Sequence, residues 1–402
     1  MTRALPQPPP LSLPEYALKA RRTNRFENTP DEFDNLRFGY FGETGGLLAS
    51  VKKSVRDQLT NPESALAAEE LGDALWYLFS TAAFLGISPN ELGEHCIRRL
   101  RNRFGDNDRP VSEPVSFRQI DGLLDTHKEG WDLDRVRQLG KLASSAGSLA
   151  DTSLTQLQAL SPPAQREHFG TLFAEWVLTC GCFDLRVESV ARDNLSKISS
   201  RWPGDERIYP AYFDPDTKFG AHEQFPREFE IEFVERDGYV VQMLNGVFIG
   251  DRLTDNSNEA DDYRFHDVFH LAYIAYLGWS PVVRGLLKRK RKSDRKIDEN
   301  EDGARAMIIE EGIATWIFNH AKQFEFYNGV KAGKLDYGLL KQIQSMVDGY
   351  EVARCKLWQW ELAILKGFEV FRLLTMHRGG VVKVDMANHE LSFRPIDSQA
   401  TQ

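Results

Sequence analysis

Cysteine and long apolar runs are both scarce in this sequence. Four cysteines occur among 402 residues, and no two of them form a Cys-x-x-Cys pair. This count and spacing exclude a disulfide framework. The longest apolar run, residues 74–87, is broken by Ser80 and Gly86, whereas a membrane span needs roughly 18 uninterrupted apolar residues. We therefore expect a reduced, cytoplasmic protein with no membrane partner.

Positive charge is not in excess either. The chain has 50 Lys and Arg against 59 Asp and Glu, which gives a net charge of -9 at pH 7. This balance excludes a protein whose whole surface binds nucleic acid, but it allows a local basic patch. The only conspicuous patch is residues 288–292, and the acidic run 298–302 follows it. We interpret it as a solvated loop that the acids neutralise. The alternative is a binding site for the phosphates of a nucleotide or a nucleic-acid end.

The chain divides by pattern into a proline-rich start, a helical first half and a mixed second half. Five prolines lie within residues 1–14, where a signal peptide would need an apolar core, so residues 1–12 are predicted to be a disordered leader. Apolar residues then recur at three- and four-residue steps, which predicts helices. Proline- and glycine-rich residues 203–226 are interpreted as a linker. The predicted fold class is mainly α.

Strand-like patterns appear only after this linker. Residues 229–233 and 239–243 flank a turn that contains Asp237-Gly238, which predicts a β-hairpin. Helical patterns resume from residue 262. We therefore predict an α-rich C-terminal domain with a β-hairpin over residues 226–395.

An internal repeat is suggested by the apolar register. When the chain is shifted by 98 residues, residues 71–104 align with 169–202 without a gap. Gly72 then meets Gly170, and most apolar positions coincide. This alignment predicts a duplicated helical unit, although any two pairs of helices could share such a register by chance.

Three carboxylates form the most distinctive constellation. Glu43 lies on one predicted helix, and Glu70 and Asp73 lie one turn apart on the same face of another. Their mutual repulsion would be relieved by a hard divalent cation such as Mg²⁺, which prefers oxygen ligands. A solvated acidic face is the alternative. Leu71 and Leu75 beside these acids argue against it, because burying unpaired carboxylates is costly.

Residues 13–108 resemble the MazG-like all-α nucleoside triphosphate pyrophosphohydrolases. The likeness lies in the segments 16–23, 41–47, 69–78 and 99–104, of which Glu-Glu-Leu-Gly-Asp-Ala-Leu-Trp-Tyr-Leu at 69–78 is the most specific. The resemblance implies cleavage of a nucleoside triphosphate to a monophosphate and pyrophosphate. It also implies that Glu43, Glu70 and Asp73 hold Mg²⁺ and that a metal-activated water attacks the phosphate.

The sequence departs from this family at two places. Gly46 stands where the family has the second acid of a Glu-x-x-Glu motif, so one of four acids is missing. On the last helix, Cys96 and Arg99 replace the Asn and Lys of a family Asn-x-x-Lys. Arg99 keeps the positive charge, which makes it a candidate phosphate ligand. Lys53, three turns after Glu43, is a weaker one.

Residues 112–205 resemble the same family in a degenerate form. Asn194 and Lys197 restore the Asn-x-x-Lys motif, while residues 145–148 and 168–171 lack all four acids. Because MazG-like domains assemble by packing helices of two copies, the tandem pair is predicted to form one composite site. In that site the acids come from the first copy and Asn194 and Lys197 bind the nucleotide. A decayed scaffold copy is the alternative.

The C-terminal domain carries a second candidate metal site. His266 and His270 lie at i, i+4 on one helix, and Glu310 and Glu311 lie on another. These are reasonable ligands for Zn²⁺ or another transition metal. The alternative is a hydrogen-bonded polar core in which the histidines pair with the glutamates. This segment also resembles the domain found behind MazG-like domains in some bacterial proteins.

Together these patterns predict a Mg²⁺-dependent nucleotide pyrophosphohydrolase that forms a homo-oligomer. Its partner would be a nucleoside triphosphate substrate, and nucleic acid is the weaker expectation. Two alternatives remain open. One is a nucleotide sensor that binds without hydrolysis, favoured by Gly46 and Cys96. The other is a metal-dependent hydrolase that acts through the C-terminal His/Glu cluster.

Overall fold

A computed structural model of the protein describes residues 8–25, 29–57, 63–106, 110–128, 134–204 and 207–396. It divides into two compact units, Met1–Ser199 and Ser200–Gln402. The described residues are mostly helical, and the second unit adds a small antiparallel sheet. The predicted mainly α fold class is thereby confirmed. Across these ranges no single helix is long and apolar enough to cross a bilayer.

The first unit contains two sets of helices. The first helical set is α1 (Leu13–Thr23), α2 (Pro30–Asp57), α3 (Glu63–Phe84) and α4 (Pro89–Phe104). The second helical set is α5 (Phe117–His127), α6 (Arg135–Asp151), α7 (Leu154–Ala159), α8 (Pro162–Cys182) and α9 (Val187–Arg201). Serine caps begin several of these helices. Ser88 forms a capping box with Glu91, which satisfies backbone donors that would otherwise lack a partner.

The two helical sets contact each other reciprocally. Gly72 on α3 faces Asn194 on α9, and a Cβ added at Gly72 would lie 3.2 Å from the Asn194 Cβ. Gly170 on α8 faces α4, and a Cβ added there would lie 2.4 Å from the His95 Cβ and 3.4 Å from the Cys96 nitrogen. The 98-residue shift converts Gly72 into Gly170 and Cys96 into Asn194. Each glycine therefore contacts the helix that corresponds, under the shift, to the one that the other glycine contacts. Two copies related by a two-fold axis make contacts of this kind.

Residues 8–12 of the predicted leader are packed against the second helical set. Leu11 is buried, and its backbone N–H donates to the Glu188 carboxylate at 3.0 Å. Ser12 and Ser116, the N-caps of α1 and α5, form an antiparallel bridge. This segment is ordered because Leu11 is the one large apolar side chain that can anchor it. Residues 1–7 of the leader lie outside the described ranges.

The second unit combines helices with a five-stranded sheet. Its strands are β1 (Glu228–Arg236), β2 (Tyr239–Leu244), β3 (Val247–Leu253), β4 (Gly379–Asp385) and β5 (Glu390–Arg394). Its helices are α10 (Asp267–Leu277), α11 (Pro281–Leu286), α12 (Arg295–Asn300), α13 (Ala304–Ala321), α14 (Tyr337–Met346) and α15 (Leu357–His377). The sheet is antiparallel in the order β3-β2-β1-β4-β5.

The predicted hairpin is confirmed as β1 and β2. Asp237 and Gly238 join them with φ of 46° and 82°, the positive values that a two-residue hairpin turn of type I′ requires. The hairpin is the middle of a larger sheet, since β4 pairs with the other edge of β1.

The core of the second unit is built around α10 and α15. Gly367 brings α15 close to α10, because a Cβ there would lie 3.3 Å from atoms of Phe269 and Ala272. Residues 207–226, which were interpreted as a linker, contribute to the same core through buried Phe213 and Phe225.

The basic run at 288–292 contains a buried structural arginine. The Arg291 side chain is fully buried, and its guanidinium donates to Asp302 at 2.6 Å and to Glu351 at 2.7 Å. The acidic run therefore neutralises Arg291 as expected, but in the interior of the unit and not in a solvated loop.

Candidate functional site

The acid site, defined as Glu43, Glu70 and Asp73, lies where α2 and α3 pack together. Glycines on α2 allow this close packing. A Cβ at Gly39 would lie 2.2 Å from the Tyr77 ring. A Cβ at Gly46 would lie 2.4 Å from the Glu70 Oε2. The Glu70 carboxylate thus covers the position where the family carries its fourth acid.

The acids of this site perturb one another. Burial, followed by the negative charges of Asp73 and Glu70, raises the pKa of Glu43 to about 7. Burial also raises the pKa of Glu70 above its ordinary value, although a hydrogen bond with Glu43 opposes that shift. A hydrogen bond between two carboxyl groups requires a proton on one of them. With a pKa of about 7, Glu43 is protonated in part of the molecules at neutral pH.

Two side chains of α9 reach the acid site. The buried Asn194 accepts a hydrogen bond from the Tyr16 hydroxyl at 2.8 Å and donates one to Asp73 at 3.3 Å. The Lys197 ammonium donates to Asp73 and, at 3.0 Å, to Glu69. The structure thus brings Asn194 and Lys197 of the second helical set against the acids of the first. Sequence reasoning missed Tyr16 and Glu69, although both lie in segments that carry the family resemblance.

The other two predicted phosphate ligands lie elsewhere. Arg99 lines a cavity of about 490 Å³ together with Glu167, Thr171 and Glu175 of α8. The 98-residue shift relates this cavity to the acid site, because it converts Arg99 into Lys197. Lys53 is exposed near the end of α2.

The donor atoms of the acid site suit Mg²⁺. All three side chains offer carboxylate oxygens, which hard cations prefer. A cation between Glu43 and Glu70 would relieve the repulsion that raises the pKa of Glu43. Asp73 differs, because the Lys197 ammonium already neutralises it. The carboxylates of Glu43 and Glu70 therefore have the chemistry that a hard cation prefers, while Asp73 is paired with Lys197.

The second predicted site forms at the start of α10. The Nε2 atom of His266 lies 3.1 Å from Asp267 Oδ1 and 3.8 Å from Glu311 Oε2. The Nε2 atom of His270 lies 3.5 Å from the same Glu311 oxygen. Ligand atoms of His266, Asp267 and His270 all lie within 4.8 Å of one another. We define these three residues and Glu311 as the histidine site.

Glu310 lies behind the histidine site and not in it. It is fully buried, accepts a hydrogen bond from His270 Nδ1 at 2.8 Å, and accepts another from the Val282 backbone at 2.8 Å. Burial lowers the pKa of His270, but Glu310 and Glu311 outweigh it and hold that pKa well above the ordinary value. The predicted pairing of histidine with glutamate is therefore present.

Comparison with known proteins gives a match, and it covers the C-terminal part of the chain. Residues 209–397 match the family model described as the MazG C-terminal domain. The match supports a MazG-related family. It confirms the predicted likeness of the C-terminal segment, and the histidine site lies inside the matched residues. The acid site lies outside the matched residues, so the two MazG-like copies in the first unit stay predictions. No curated protein and no solved structure matches the chain.

Proposed function

We propose that this MazG-related chain is a Mg²⁺-dependent nucleotide pyrophosphohydrolase, which converts a nucleoside triphosphate to a monophosphate and pyrophosphate. The observation that carries the proposal is the convergence of Glu43, Glu70 and Asp73 with Asn194 and Lys197 at one place. Carboxylates that hold a metal and a cation that meets phosphate are the groups this reaction needs. The match to the MazG C-terminal domain supports a nucleotide-processing role.

The side chains divide the work as follows. Glu43, Glu70 and Asp73 would hold Mg²⁺, which would supply charge neutralisation for the phosphates and an activated water. Lys197 shares its ammonium between Asp73 and Glu69, so an incoming phosphate can compete for it. Asn194 is oriented by Tyr16 and presents a fixed amide. Glu43, with its pKa of about 7, can take or release a proton near neutral pH.

The decisive experiment follows pyrophosphate release from a panel of normal and modified nucleoside triphosphates in the presence of Mg²⁺. Glu70→Gln removes a metal-binding charge with little change of shape, and we expect at least about a 100-fold loss of rate. Glu167→Gln is the matched control, because Glu167 lines the related cavity that contains Arg99. Equal rates for wild type and Glu70→Gln would refute the assignment of the acid site.

A nucleotide sensor is the second candidate, favoured by the Glu70 carboxylate that covers Gly46. Calorimetry with the same nucleotides separates the two functions. Asn194→Ala should weaken nucleotide binding about 10-fold in either case, because it removes one hydrogen-bonding group. Tight binding by wild type without pyrophosphate release would favour the sensor. Wild-type affinity in Asn194→Ala would contradict the composite site.

A further inference from the structure

We propose that the histidine site binds a divalent first-row transition-metal ion through His266, Asp267, His270 and Glu311. This site goes beyond the proposed function, because it lies in the other unit and shares no residue with the acid site. The inference starts from the ring nitrogens of the two histidines, whose hydrogen bonds fix the direction in which each ring offers its lone pair.

The Nδ1 atoms of both histidines are donors. His266 Nδ1 lies 2.8 Å from the Tyr263 carbonyl oxygen, which can only accept. His270 Nδ1 lies 2.8 Å from the Glu310 carboxylate, which accepts from Val282 as well. In a neutral imidazole the other nitrogen then carries the lone pair. When both rings are neutral, as they are in metal-ligating histidines, their Nε2 atoms direct lone pairs toward the same space.

Within the part of the chain that the structure describes, no lysine or arginine pairs with the carboxylates of this space. His270 is fully buried, and among the described residues its Nε2 has no hydrogen-bond partner. The oxygens that surround the two Nε2 atoms belong to Asp267 and Glu311. Two lone pairs and two carboxylates that face one another repel unless a cation lies between them. A metal ion removes this repulsion and satisfies the buried nitrogen.

A second layer of contacts holds the ligands in place. Gln242 donates to the outer oxygen Oδ2 of Asp267, which leaves Oδ1 directed at His266. The Tyr263 ring stacks on the His266 ring with centroids 4.1 Å apart and planes parallel within 1°. Outer contacts of this kind are typical of metal centres, where they fix ring orientation.

The donor set selects the class of metal. Two imidazole nitrogens and two carboxylate oxygens favour Zn²⁺ and other first-row transition ions over Mg²⁺, which prefers an all-oxygen shell. The Glu311 side chain is 42% exposed, whereas His266 and Asp267 are nearly buried. The ion therefore enters past Glu311.

The test titrates the full-length chain, stripped with a chelator, with Zn²⁺ and with Co²⁺. Calorimetry gives stoichiometry and affinity, and the visible absorption of Co²⁺ reports nitrogen ligation independently of any activity. We expect one equivalent per chain at this site. His266→Ala should weaken binding at least about 10-fold, and so should Glu311→Gln, whose partly exposed position preserves folding.

Two control variants make the result specific. His320→Ala removes a histidine of α13 that pairs with Tyr327 outside the site, and Glu70→Gln disables the acid site. Both should keep the Co²⁺ spectrum and the affinity of wild type. The proposal is overturned if wild type binds neither ion, if His266→Ala and Glu311→Gln bind like wild type, or if binding is lost in Glu70→Gln.

Discussion

The acid site and the histidine site differ in how their charged groups are buried and paired. The acids are partly exposed, the pKa of Glu43 is raised to about 7, and the Lys197 ammonium pairs with Asp73. The histidine site is buried on most sides, and its outward atoms are bound by Tyr263, Gln242 and Glu310. Under the proposed function, the loose compensation of the acid site lets a nucleotide phosphate compete with Asp73 for Lys197. A site with a complete outer layer is suited to hold one ion in fixed geometry.

Among the variants considered, Glu310→Ala should cause the largest loss of stability. Glu310→Ala leaves His270 Nδ1 and the Val282 N–H buried without an acceptor. We expect the free energy of unfolding to fall by about 3–5 kcal/mol, the usual cost of breaking a buried charged pair. Chemical denaturation in a chelator, followed by intrinsic fluorescence, measures it.

Glu69→Ala is the matched change beside the acid site. It leaves Lys197 paired with Asp73 at a partly exposed position, so the expected loss is below about 1 kcal/mol. If Glu310→Ala and Glu69→Ala lost equal free energy of unfolding, the two sites would not differ in how strongly their charges are held.

A pH dependence of stability should belong to the acid site. The pKa of Glu43 rises from an ordinary 4.5 to about 7 on folding, so the folded protein binds more protons in that interval. Stability then falls as pH rises from about 4.5 to 7 and stays low above it. Glu43→Gln should remove this loss. Allowing for solvent screening at a partly exposed group, we expect a gain of about 1 kcal/mol near pH 8 and none near pH 4.

Thermal unfolding of metal-free wild type and Glu43→Gln across this pH range measures the effect. Mg²⁺ should reduce the difference between the two proteins, because a cation also relieves the repulsion. A gain of the same size at both ends of the range would show that Glu43 does not titrate as described.

The smallest expected effects are those of alanine substitutions at Gly45 and Gly46. In Gly45→Ala the added Cβ has no atom within 4 Å, so this substitution should stabilise α2 by roughly 0.5–1 kcal/mol. Gly46→Ala should give a smaller gain, because its Cβ must displace the flexible end of Glu70. Pyrophosphate release should decrease only in Gly46→Ala. Equal rates in both variants would indicate that the position of the Glu70 carboxylate does not matter.

Sequence reasoning predicted the elements better than the directions of side chains. The i, i+4 spacing places His266 and His270 on one face, but it cannot tell which of Glu310 and Glu311 faces the shared space. Asp267 is absent from the predicted ligand set. Its role depends on Gln242, which reaches it from a distant strand.

The repeat contained more information than the sequence reasoning used. The same 98-residue shift that relates Lys197 to Arg99 assigns Arg99 to the related cavity and not to the acid site. The strands β4 and β5 were missed because their partners are distant in sequence and local pattern carries little of that pairing.

The reciprocal packing of the two helical sets has a consequence for how the chain can change. In a dimer of identical chains every substitution appears in both symmetry-related cavities. Here the halves are covalently joined, so a substitution alters one cavity and spares its counterpart. Fusion also keeps the halves together at any protein concentration. The acid site and the arginine-lined cavity can thus be inherited as separate traits, each free to acquire a ligand of its own.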